Sequence, residues 1–295
     1  MTTAARRALQ PFDLVLRHHR TYTWVRRAVL GLSLLCTLGL PLWHQRQLDA
    51  EVVLRSAPLL PVPGIFGAPG AIDVFGLELI DPLPLLALAL ANGPSWALLW
   101  LALPALLLVA VFGRFFCGWV CPYVPLLAAS NAARGLLTRL GVPLLDVRLP
   151  RSTSAAVLVG VLTGTALLGA QLAPLVYPPS LIGREVFRSV FYGGLGAGAA
   201  LVGLAFCFDT FVSRAGFCRT LCPGGALYSA LGAASVYTVR LEKSRCTDCT
   251  ACDVVCNLGQ SPMTGRIDSG CERCGKCVAV CPTDALKLGL KRRAR

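Results

Sequence analysis

Eight cysteines near the C-terminus constrain this chain more than any other feature. They form two runs with the same spacing: three cysteines separated by two residues each, then a fourth after three more. The runs are Cys246-x2-Cys249-x2-Cys252-x3-Cys256 and Cys271-x2-Cys274-x2-Cys277-x3-Cys281-Pro282. A doubled run of this kind is typical of chains that wrap two [4Fe-4S] clusters, since three closely spaced thiolates can bind one cubane only where the backbone coils tightly.

The spacing also predicts which cysteines share a cluster, because the fourth cysteine of each run points away from its own triplet. Structural zinc sites use two separated cysteine pairs instead of triplets, and disulfides require an oxidising compartment. Asn257, not proline, follows the first run. The predicted ligands are Cys246, Cys249, Cys252 and Cys281 for the first cluster and Cys271, Cys274, Cys277 and Cys256 for the second.

The composition of the whole chain is that of a membrane protein. The 295 residues are 55% hydrophobic and 15% charged, with a mean hydropathy of +0.64, which is more apolar than a soluble protein of this size. The net charge is +13, but the arginines flank apolar segments instead of forming one basic face. This pattern follows the positive-inside rule and argues against a nucleic-acid partner.

The apolar segments predict an all-α membrane protein with four transmembrane helices arranged as two repeated hairpins, at about residues 25–43, 95–112, 154–177 and 191–212. The predicted domains are a cytoplasmic N-terminus (1–24), this membrane domain (25–239), and a small α+β domain with two [4Fe-4S] clusters (240–295). Basic residues at the inner ends of the segments place both termini in the cytoplasm. No small-residue cleavage site follows the first apolar segment, so a cleaved signal peptide is not expected.

Four further cysteines form an internal repeat, Cys117-x3-Cys121-Pro122 and Cys218-x3-Cys222-Pro223. Each motif follows an apolar segment, and a pseudo-twofold axis relating two hairpins would bring the motifs together. One hypothesis is a four-thiolate site that binds a metal or cycles between dithiol and disulfide. The alternative is that these are structural thiols at a helix break. The remaining cysteines, Cys36 and Cys207, lie in apolar runs and are predicted to be buried.

Few polar groups lie at membrane depth in the predicted spans. Asp209 is the main candidate for a quinol site, and Gln171 and Arg184 are weaker ones. The alternative for Asp209 is a salt bridge with Arg214 or Arg114. The sequence has no Cys-x-x-Cys-His motif, and its histidines, at positions 18, 19 and 44, lie outside the membrane-depth part of the spans, which argues against a c-type haem or an intramembrane bis-histidine haem.

Taken together, these motifs resemble the NapH/MauN-type ferredoxin-like membrane proteins, the ferredoxin component of a quinol dehydrogenase. The resemblance rests on Asp81-Pro82-Leu83, the two Cys-x3-Cys-Pro motifs, Pro179-Ser180-Leu181 and the doubled cysteine run. It implies a multi-pass protein of the bacterial inner membrane that is part of an electron-transfer chain and not a stand-alone enzyme. Its implied partners are the quinol pool and a periplasmic iron–sulfur or cytochrome partner of a reductase, typically of nitrate.

Two functions of different classes therefore remain open at this point. In the first, the chain transfers electrons between the quinol pool, or a cytoplasmic donor, and a periplasmic reductase system. In the second, it is an assembly or maturation factor whose clusters and Cys-x3-Cys-Pro thiols reduce a metal or a disulfide during reductase biogenesis.

Overall fold

A computed structural model describes residues 20–47, 71–74, 77–92, 96–147, 149–265 and 267–290. Most of the predicted cytoplasmic N-terminus (1–24) and the last five residues lie outside this part of the chain. The described chain forms a helical lobe up to Ala234, followed by a small C-terminal lobe that begins at Tyr237 and is built on a two-stranded sheet.

Helices dominate the helical lobe, and short π-helical and 3-10 turns connect some of them. Before α2, a two-stranded antiparallel hairpin of β1 (Ala71–Val74) and β2 (Leu77–Ile80) pairs Ala71 with Ile80 and Val74 with Leu77. The helices are α1 (Arg20–Gln47), α2 (Pro82–Asn92), α3 (Trp96–Phe112), α4 (Phe115–Trp119), α5 (Tyr123–Arg139), α6 (Arg151–Leu168), α7 (Ala173–Val176), α8 (Pro178–Tyr192), α9 (Ala197–Cys207) and α10 (Pro223–Leu231), with π turns at Phe208–Val212 and Phe217–Leu221 and a 3-10 turn at Gly232–Ala234.

The prediction of four transmembrane helices is wrong for the described residues. Within these ranges, none of the helices combines the length with the apolar character that crossing a bilayer requires. The predicted first span (25–43) lies in α1, which carries Arg20, Arg26 and Arg27. The second (95–112) corresponds to α3, which has 17 residues and contains Pro104.

Glycines divide the other two predicted spans. The predicted third span (154–177) is interrupted where α6 ends at Gly169, whose φ of 60° is left-handed, and the chain resumes only as the four-residue α7. The fourth (191–212) includes Gly193, which ends α8 with a φ of 67°. A left-handed residue after a helix is a common termination signal that glycine adopts without steric cost. Apolar composition therefore predicts continuous helices across these two glycines, where the helices in fact end.

The C-terminal lobe has the α+β character predicted for residues 240–295, although its first strand begins three residues earlier. Strand β3 (Tyr237–Leu241) pairs antiparallel with β4 (Leu286–Leu290), with Tyr237 opposite Leu290 and Leu241 opposite Leu286. The chain between them carries one-turn helices and 3-10 turns. These are α11 (Ala251–Val255), α12 (Lys276–Ala279), Lys243–Arg245 and Pro262–Thr264.

Cysteines are part of the cores of both lobes. In the C-terminal lobe, the buried cluster consists of Val239, Leu286, Cys252 and Cys277. In the helical lobe, one cluster includes Cys222 with Tyr177 and Leu83, and a second contains Tyr123, Leu127, Ala205, Ala215 and Leu258. Leu258 belongs to the C-terminal lobe, so the two lobes share a core.

Candidate metal centre

The C-terminal lobe contains two cavities, and each is lined by one of the predicted cysteine sets. The first cavity is bounded on one side by Leu241 and Leu286. The second cavity has Val239, Leu258 and Lys276 among its lining residues. The cysteines lining the first are Cys246, Cys249, Cys252 and Cys281, and those lining the second are Cys256, Cys271, Cys274 and Cys277. The fold therefore brings together the two crossed sets, while ligation of iron by them remains a prediction.

Left-handed residues at matching positions coil the chain around each cavity. The second residue after the first cysteine of each run is left-handed, at Asp248 (φ 51°) and Arg273 (φ 49°). The residue after the second cysteine is also left-handed, at Thr250 (φ 59°) and Gly275 (φ 69°). Successive amides in such turns point inward and form concave sites that bind anions, including iron–sulfur groups. Only Gly275 gives a sequence signal for this conformation.

Backbone amides donate hydrogen bonds to the sulfurs of the second set. The Gln260 amide donates to Cys256 Sγ at 3.3 Å, and the Arg273 amide donates to Cys271 Sγ at 3.4 Å. Burial raises the pKa of Cys252 and Cys271 to about 12. A bound cation is thus needed to hold them as thiolates near neutral pH, which is the condition that iron provides. The residues present fit [4Fe-4S] groups.

The two cavities differ in their surroundings. Between the cysteines of the first run, Thr247, Asp248 and Thr250 are exposed, whereas Glu272 and Arg273 in the second run are each only 3% exposed. Part of the wall of the first cavity therefore lies at the protein surface, whereas the second run packs against the helical lobe.

The two Cys-x3-Cys-Pro motifs meet in the helical lobe close to the second cavity. Cys121 and Cys218 pack against the same apolar cluster around Tyr123. The two motifs are joined through Arg114, three residues before Cys117, whose guanidinium donates to the Cys218 carbonyl. No three Cys, His, Asp or Glu side chains within the described ranges are grouped tightly enough to hold a single metal ion.

Each motif presents backbone amides to its last cysteine. Cys222 is the N-cap of α10, and its sulfur accepts a hydrogen bond from the Gly225 amide at 3.3 Å. Cys121 directly precedes the N-cap of α5, and the Tyr123 amide lowers its pKa against the larger effect of burial. Pro122 is the N-cap of α5 and Pro223 is the first residue of α10, so both sulfurs lie at the positive end of a helix dipole.

Arg114 links the two motifs to the C-terminal lobe. It is 3% exposed, and its guanidinium donates to the Cys218 carbonyl at 3.0 Å, to Ser229 Oγ at 3.2 Å and to the Gly270 carbonyl at 3.3 Å. Burial opposes its charge, but Cys117, Glu272, Cys222 and Cys218 together outweigh that effect and raise the pKa of Arg114. The guanidinium therefore stays charged among the thiols. Sequence reasoning considered Arg114 only as a partner for Asp209.

A close contact joins the first motif to the second cavity. A Cβ atom added to Gly118 would lie 2.9 Å from the Glu272 carbonyl oxygen and 3.2 Å from Cys274 Cβ. The neighbouring Trp119 donates from Nε1 to the Arg273 carbonyl at 3.3 Å. We call Arg114, Gly118, Trp119, Glu272 and Arg273 the junction.

Asp209 is fully buried, but the predicted salt-bridge alternative is not what holds it. Its carboxylate accepts hydrogen bonds from Tyr123 Oη at 2.9 Å and from the Phe217 amide at 2.8 Å. Burial raises its pKa to about 6. Arg214 instead donates to the carbonyls of Val254 and Cys256 at 2.7 Å. Asp209 thus anchors the turn that carries Cys218.

Asp81 similarly anchors the helix that Cys222 caps, a role that the sequence analysis does not predict. It accepts hydrogen bonds from Tyr177 Oη and Tyr228 Oη, both at 2.5 Å, and from the Leu83 amide at 3.0 Å. Tyr228 is on α10, the helix that Cys222 caps. The motif Asp81-Pro82-Leu83 was the available signal, but the tyrosines come from distant segments.

The remaining sequence candidates lie elsewhere. Gln171 is half-buried between α6 and α7, and Arg184 lies on α8 with Nε 4.0 Å from Glu185 Oε1. Cys207 is exposed, contrary to prediction, and the side chain of Cys36 lies outside the described residues.

Two cavities lined by four cysteines each, in a small α+β lobe, define an iron–sulfur protein of the ferredoxin type. Sequence profiles described as 4Fe-4S binding domains match residues 92–139 with 195–236, and residues 267–287. The chain belongs to the NapH/MauN family of ferredoxin-type proteins, and its activity is iron–sulfur electron transfer.

Three curated relatives support this family assignment. The ferredoxin-type protein NapH of Escherichia coli is 33% identical over 224 residues, covering 72% of this chain and 75% of the relative. NapH of Haemophilus influenzae is 31% identical, covering 73% and 79%. The methylamine utilization ferredoxin-type protein MauN of Methylorubrum extorquens is 35% identical, covering 72% and 74%. No solved structure matches the chain.

Proposed function

We propose that this chain passes electrons between the quinol pool, or a cytoplasmic donor, and a periplasmic respiratory reductase system such as nitrate reductase. In this proposal it holds two [4Fe-4S] clusters and acts as one component of a quinol dehydrogenase chain, next to a periplasmic iron–sulfur or cytochrome partner. The observation that carries the proposal is the pair of four-cysteine cavities, one near the protein surface and the other against the helical lobe.

The arrangement of the protein's own residues supports a relay. When bound, [4Fe-4S] groups accept and release one electron each, at a potential tuned by hydrogen bonds to sulfur and by burial. Exposed residues beside the first cavity place it near the protein surface, where an external redox partner could approach it. The junction holds the second cavity against the Cys-x3-Cys-Pro motifs of the helical lobe. One end of the proposed electron path therefore lies at the surface of the C-terminal lobe, and the other end lies at the helical lobe.

The cluster assignment can be tested on the full chain isolated without oxygen. We expect Cys249→Ser and Cys274→Ser each to lose the spectral signature of one cluster while retaining the other, because the two residues line different cavities. Cys207→Ser is the matched control, since Cys207 is exposed and lies on α9. Absence of acid-labile sulfide from the unaltered protein would contradict the proposal.

The quinol role needs a separate experiment. We expect a quinol analogue to reduce the clusters of the unaltered protein when its periplasmic partner is present. If a fully assembled reductase still receives quinol electrons in cells that lack this chain, the electron-transfer role is wrong and the assembly role takes its place.

We also propose that the chain works at the bacterial inner membrane. Large apolar side chains are exposed on the helical lobe, including Trp100 (71%), Leu167 (86%) and Leu204 (65%). Exposed apolar surface on this scale marks an interaction with lipid or with another protein. Recovery in the membrane fraction of a cell lysate is the expected result, and recovery only in the soluble fraction would contradict the proposal.

A further inference from the structure

The helical lobe contains an apolar cavity that holds no predicted cluster ligand. It has a volume of about 350 Å³ and lies between α7, α8, α9 and the start of α5. Among the described residues that line it, Tyr123 alone carries a polar group in its side chain. A volume near this value with an apolar lining and very few polar groups is typical of small-molecule sites. We call it the apolar cavity.

The apolar cavity reaches from the interior of the lobe to its exposed apolar surface. Tyr123 and Leu181 in its wall are buried, whereas Val176 and Leu201, which also line it, are exposed. A ligand with an aromatic ring and an apolar tail fits this shape, because the wall encloses the ring while the tail continues along the exposed side chains.

A buried carboxylate lies directly behind the wall of this cavity. Both groups that hydrogen-bond to Asp209 belong to lining residues, since Tyr123 Oη donates at 2.9 Å and the Phe217 amide donates at 2.8 Å. The Tyr123 oxygen gives its hydrogen to Asp209 and can still accept one from a ligand hydroxyl. Such a chain would carry a proton from the ligand to the carboxylate.

The rings beside this carboxylate suit an aromatic ligand. The centroids of the Tyr123 and Phe217 rings are 5.7 Å apart, and the rings are inclined at 48°. Aromatic side chains pack against a further ring in offset or edge-to-face arrangements. The wall therefore combines aromatic surface with one hydroxyl group, which favours a hydroxylated ring over an acyl chain.

The apolar cavity also lies close to the second ferredoxin cavity. Tyr123 and Ala205 belong to the same apolar cluster as Leu258, and Cys256 packs against that cluster. Leu258 and Cys256 line the second ferredoxin cavity. A ligand in the apolar cavity is thus separated from that cavity by the side chains of one packed cluster, and electron transfer is fast over short distances of this kind.

We propose that the apolar cavity binds the ring of a quinol, with one ring hydroxyl donating to Tyr123 Oη and the tail leaving past Leu201 and Val176. The inference rests on the proposed function, since the ferredoxin clusters receive the electrons. The quinol loses two O–H bonds and gives one electron to each cluster. One proton passes through Tyr123 to Asp209 and the other passes to water. Tyr123 contacts the ligand, and Asp209 acts through Tyr123.

Photolabelling of the full chain, purified without oxygen, tests the position of the ligand. We expect a short-chain azidoquinone to label peptides that contain α7, α8 or α9, and an excess of decylubiquinol or menadiol to prevent that labelling. Label that lies elsewhere would overturn the inference. Label in these peptides that neither quinol displaces would also overturn it, because the cavity would then hold a lipid acyl chain.

A pair of tryptophan variants tests whether the cavity is used. Leu201→Trp should fill it and slow cluster reduction by decylubiquinol or menadiol, with the periplasmic partner present, by about tenfold or more. Leu204→Trp is the matched control, since Leu204 is exposed, lies one turn further along α9 and does not line the cavity. Both variants should keep their iron content and their reduction by dithionite.

Tyr123→Phe separates binding from proton transfer. It keeps the ring and removes the hydroxyl, so we expect quinol affinity to fall by less than about tenfold and the maximal rate of cluster reduction to fall by about a hundredfold. Reduction by dithionite, which needs no proton acceptor on the protein, should not change. Equal slowing with dithionite and with quinol would show that Tyr123 only supports the fold, and would overturn its assigned role.

The outcomes separate this inference from the proposed function. Equal rates in Leu201→Trp and Leu204→Trp would overturn the site and leave the proposed function intact. Failure of both quinols to reduce the clusters of the unaltered protein, with its periplasmic partner present, would overturn the proposed function itself. If Leu201→Trp loses iron, photolabelling of the unaltered protein still decides whether the cavity holds a quinol.

Discussion

At the scale of single residues, two buried carboxyl groups position the cysteines of the helical lobe. Asp209 binds the amide at the start of the turn that carries Cys218, and Asp81 binds the hydroxyls of Tyr177 and Tyr228 near Cys222. Each carboxyl also depends on a tyrosine from a distant segment. Buried polar groups of this kind are stable only when hydrogen-bonded.

Asp209 should make stability depend on pH. Burial holds its pKa at about 6, above the ordinary value of 3.8, so between these pH values the folded state keeps a proton that the unfolded state releases. Stability from this group is therefore fully present below about pH 4 and is lost as the pH rises through about 6, by about 3 kcal/mol. Asp209→Asn should remove this component, measured as the difference in free energy of unfolding between variant and wild type across this range.

Tyr123→Phe is the informative comparison for Asp209. The Tyr123 hydroxyl lowers the pKa of Asp209 against the larger effect of burial. Its loss should raise that pKa further and steepen the pH dependence. A difference between wild type and Asp209→Asn that does not vary with pH would contradict the assignment.

Asp81→Ala should destabilise the protein strongly. It leaves the hydroxyls of Tyr177 and Tyr228 without their buried acceptor, and each unsatisfied buried group costs about 1–3 kcal/mol. Tyr228→Phe, which removes one hydrogen bond without orphaning the Tyr177 hydroxyl, should cost about 1 kcal/mol. Denaturant unfolding under anaerobic conditions measures both. Equal losses in the two variants would show that Asp81 does not act through both tyrosines.

The sequence could predict the cysteine ligand sets but not the residues that support them. Sets with fixed spacing, such as Cys271 to Cys281, are local, and the spacing dictates how the chain must coil. Arg114, Asp81 and Gly118 act on partners more than ninety residues away along the chain. Such contacts follow from the tertiary fold and have no periodic signature.

At the scale of secondary-structure elements, glycine decides where the apolar segments stop being helical. The composition of residues 154–177 and 191–212 correctly indicated helix, but left-handed Gly169 and Gly193 end α6 and α8 inside these ranges. Hydropathy averaged over a window cannot register one residue with positive φ. Residues 44–93 are rich in proline and glycine, a composition that favours loop, so the sequence does not predict the β1–β2 hairpin.

Two glycines in the same part of the chain should respond in opposite ways to alanine. A Cβ atom at Gly169 or at Gly160 would meet nothing within 4 Å, so packing is neutral at both sites. Gly169 has a φ of 60°, and Gly169→Ala should cost about 1 kcal/mol. Gly160 lies within α6, and Gly160→Ala should stabilise by about 0.5–1 kcal/mol. The apparent melting temperatures should move in opposite directions, and a shared direction would contradict the assignment of Gly169 as the helix terminator.

At the scale of the whole molecule, the C-terminal lobe contributes little core of its own. Its sheet has two strands, and Cys252 and Cys277 form part of its buried cluster with Val239 and Leu286. Small domains of this kind usually require a metal or disulfides to stay folded. The helical lobe has two apolar clusters, and neither includes a predicted ferredoxin ligand among its buried residues.

Removing iron should therefore unfold the two lobes unequally. With a chelator under reducing conditions, we expect fast amide hydrogen exchange in β3 and β4 and slower exchange in α5 and α6. Exchange followed by mass spectrometry, against the untreated protein, measures this. Retained protection of β3 and β4 after complete loss of iron would show that the lobe folds without its clusters.

The unequal surroundings of the two ferredoxin cavities have a consequence for survival in air. Exposed Thr247, Asp248 and Thr250 place the first cavity near the protein surface, whereas Glu272 and Arg273 beside the second cavity are buried against the helical lobe. Brief aeration should degrade the cubane near the surface first and spare the other one, which a time course of the two spectral signatures would reveal. The protein would then lose electron exchange with external redox partners before it loses the cluster next to the helical lobe.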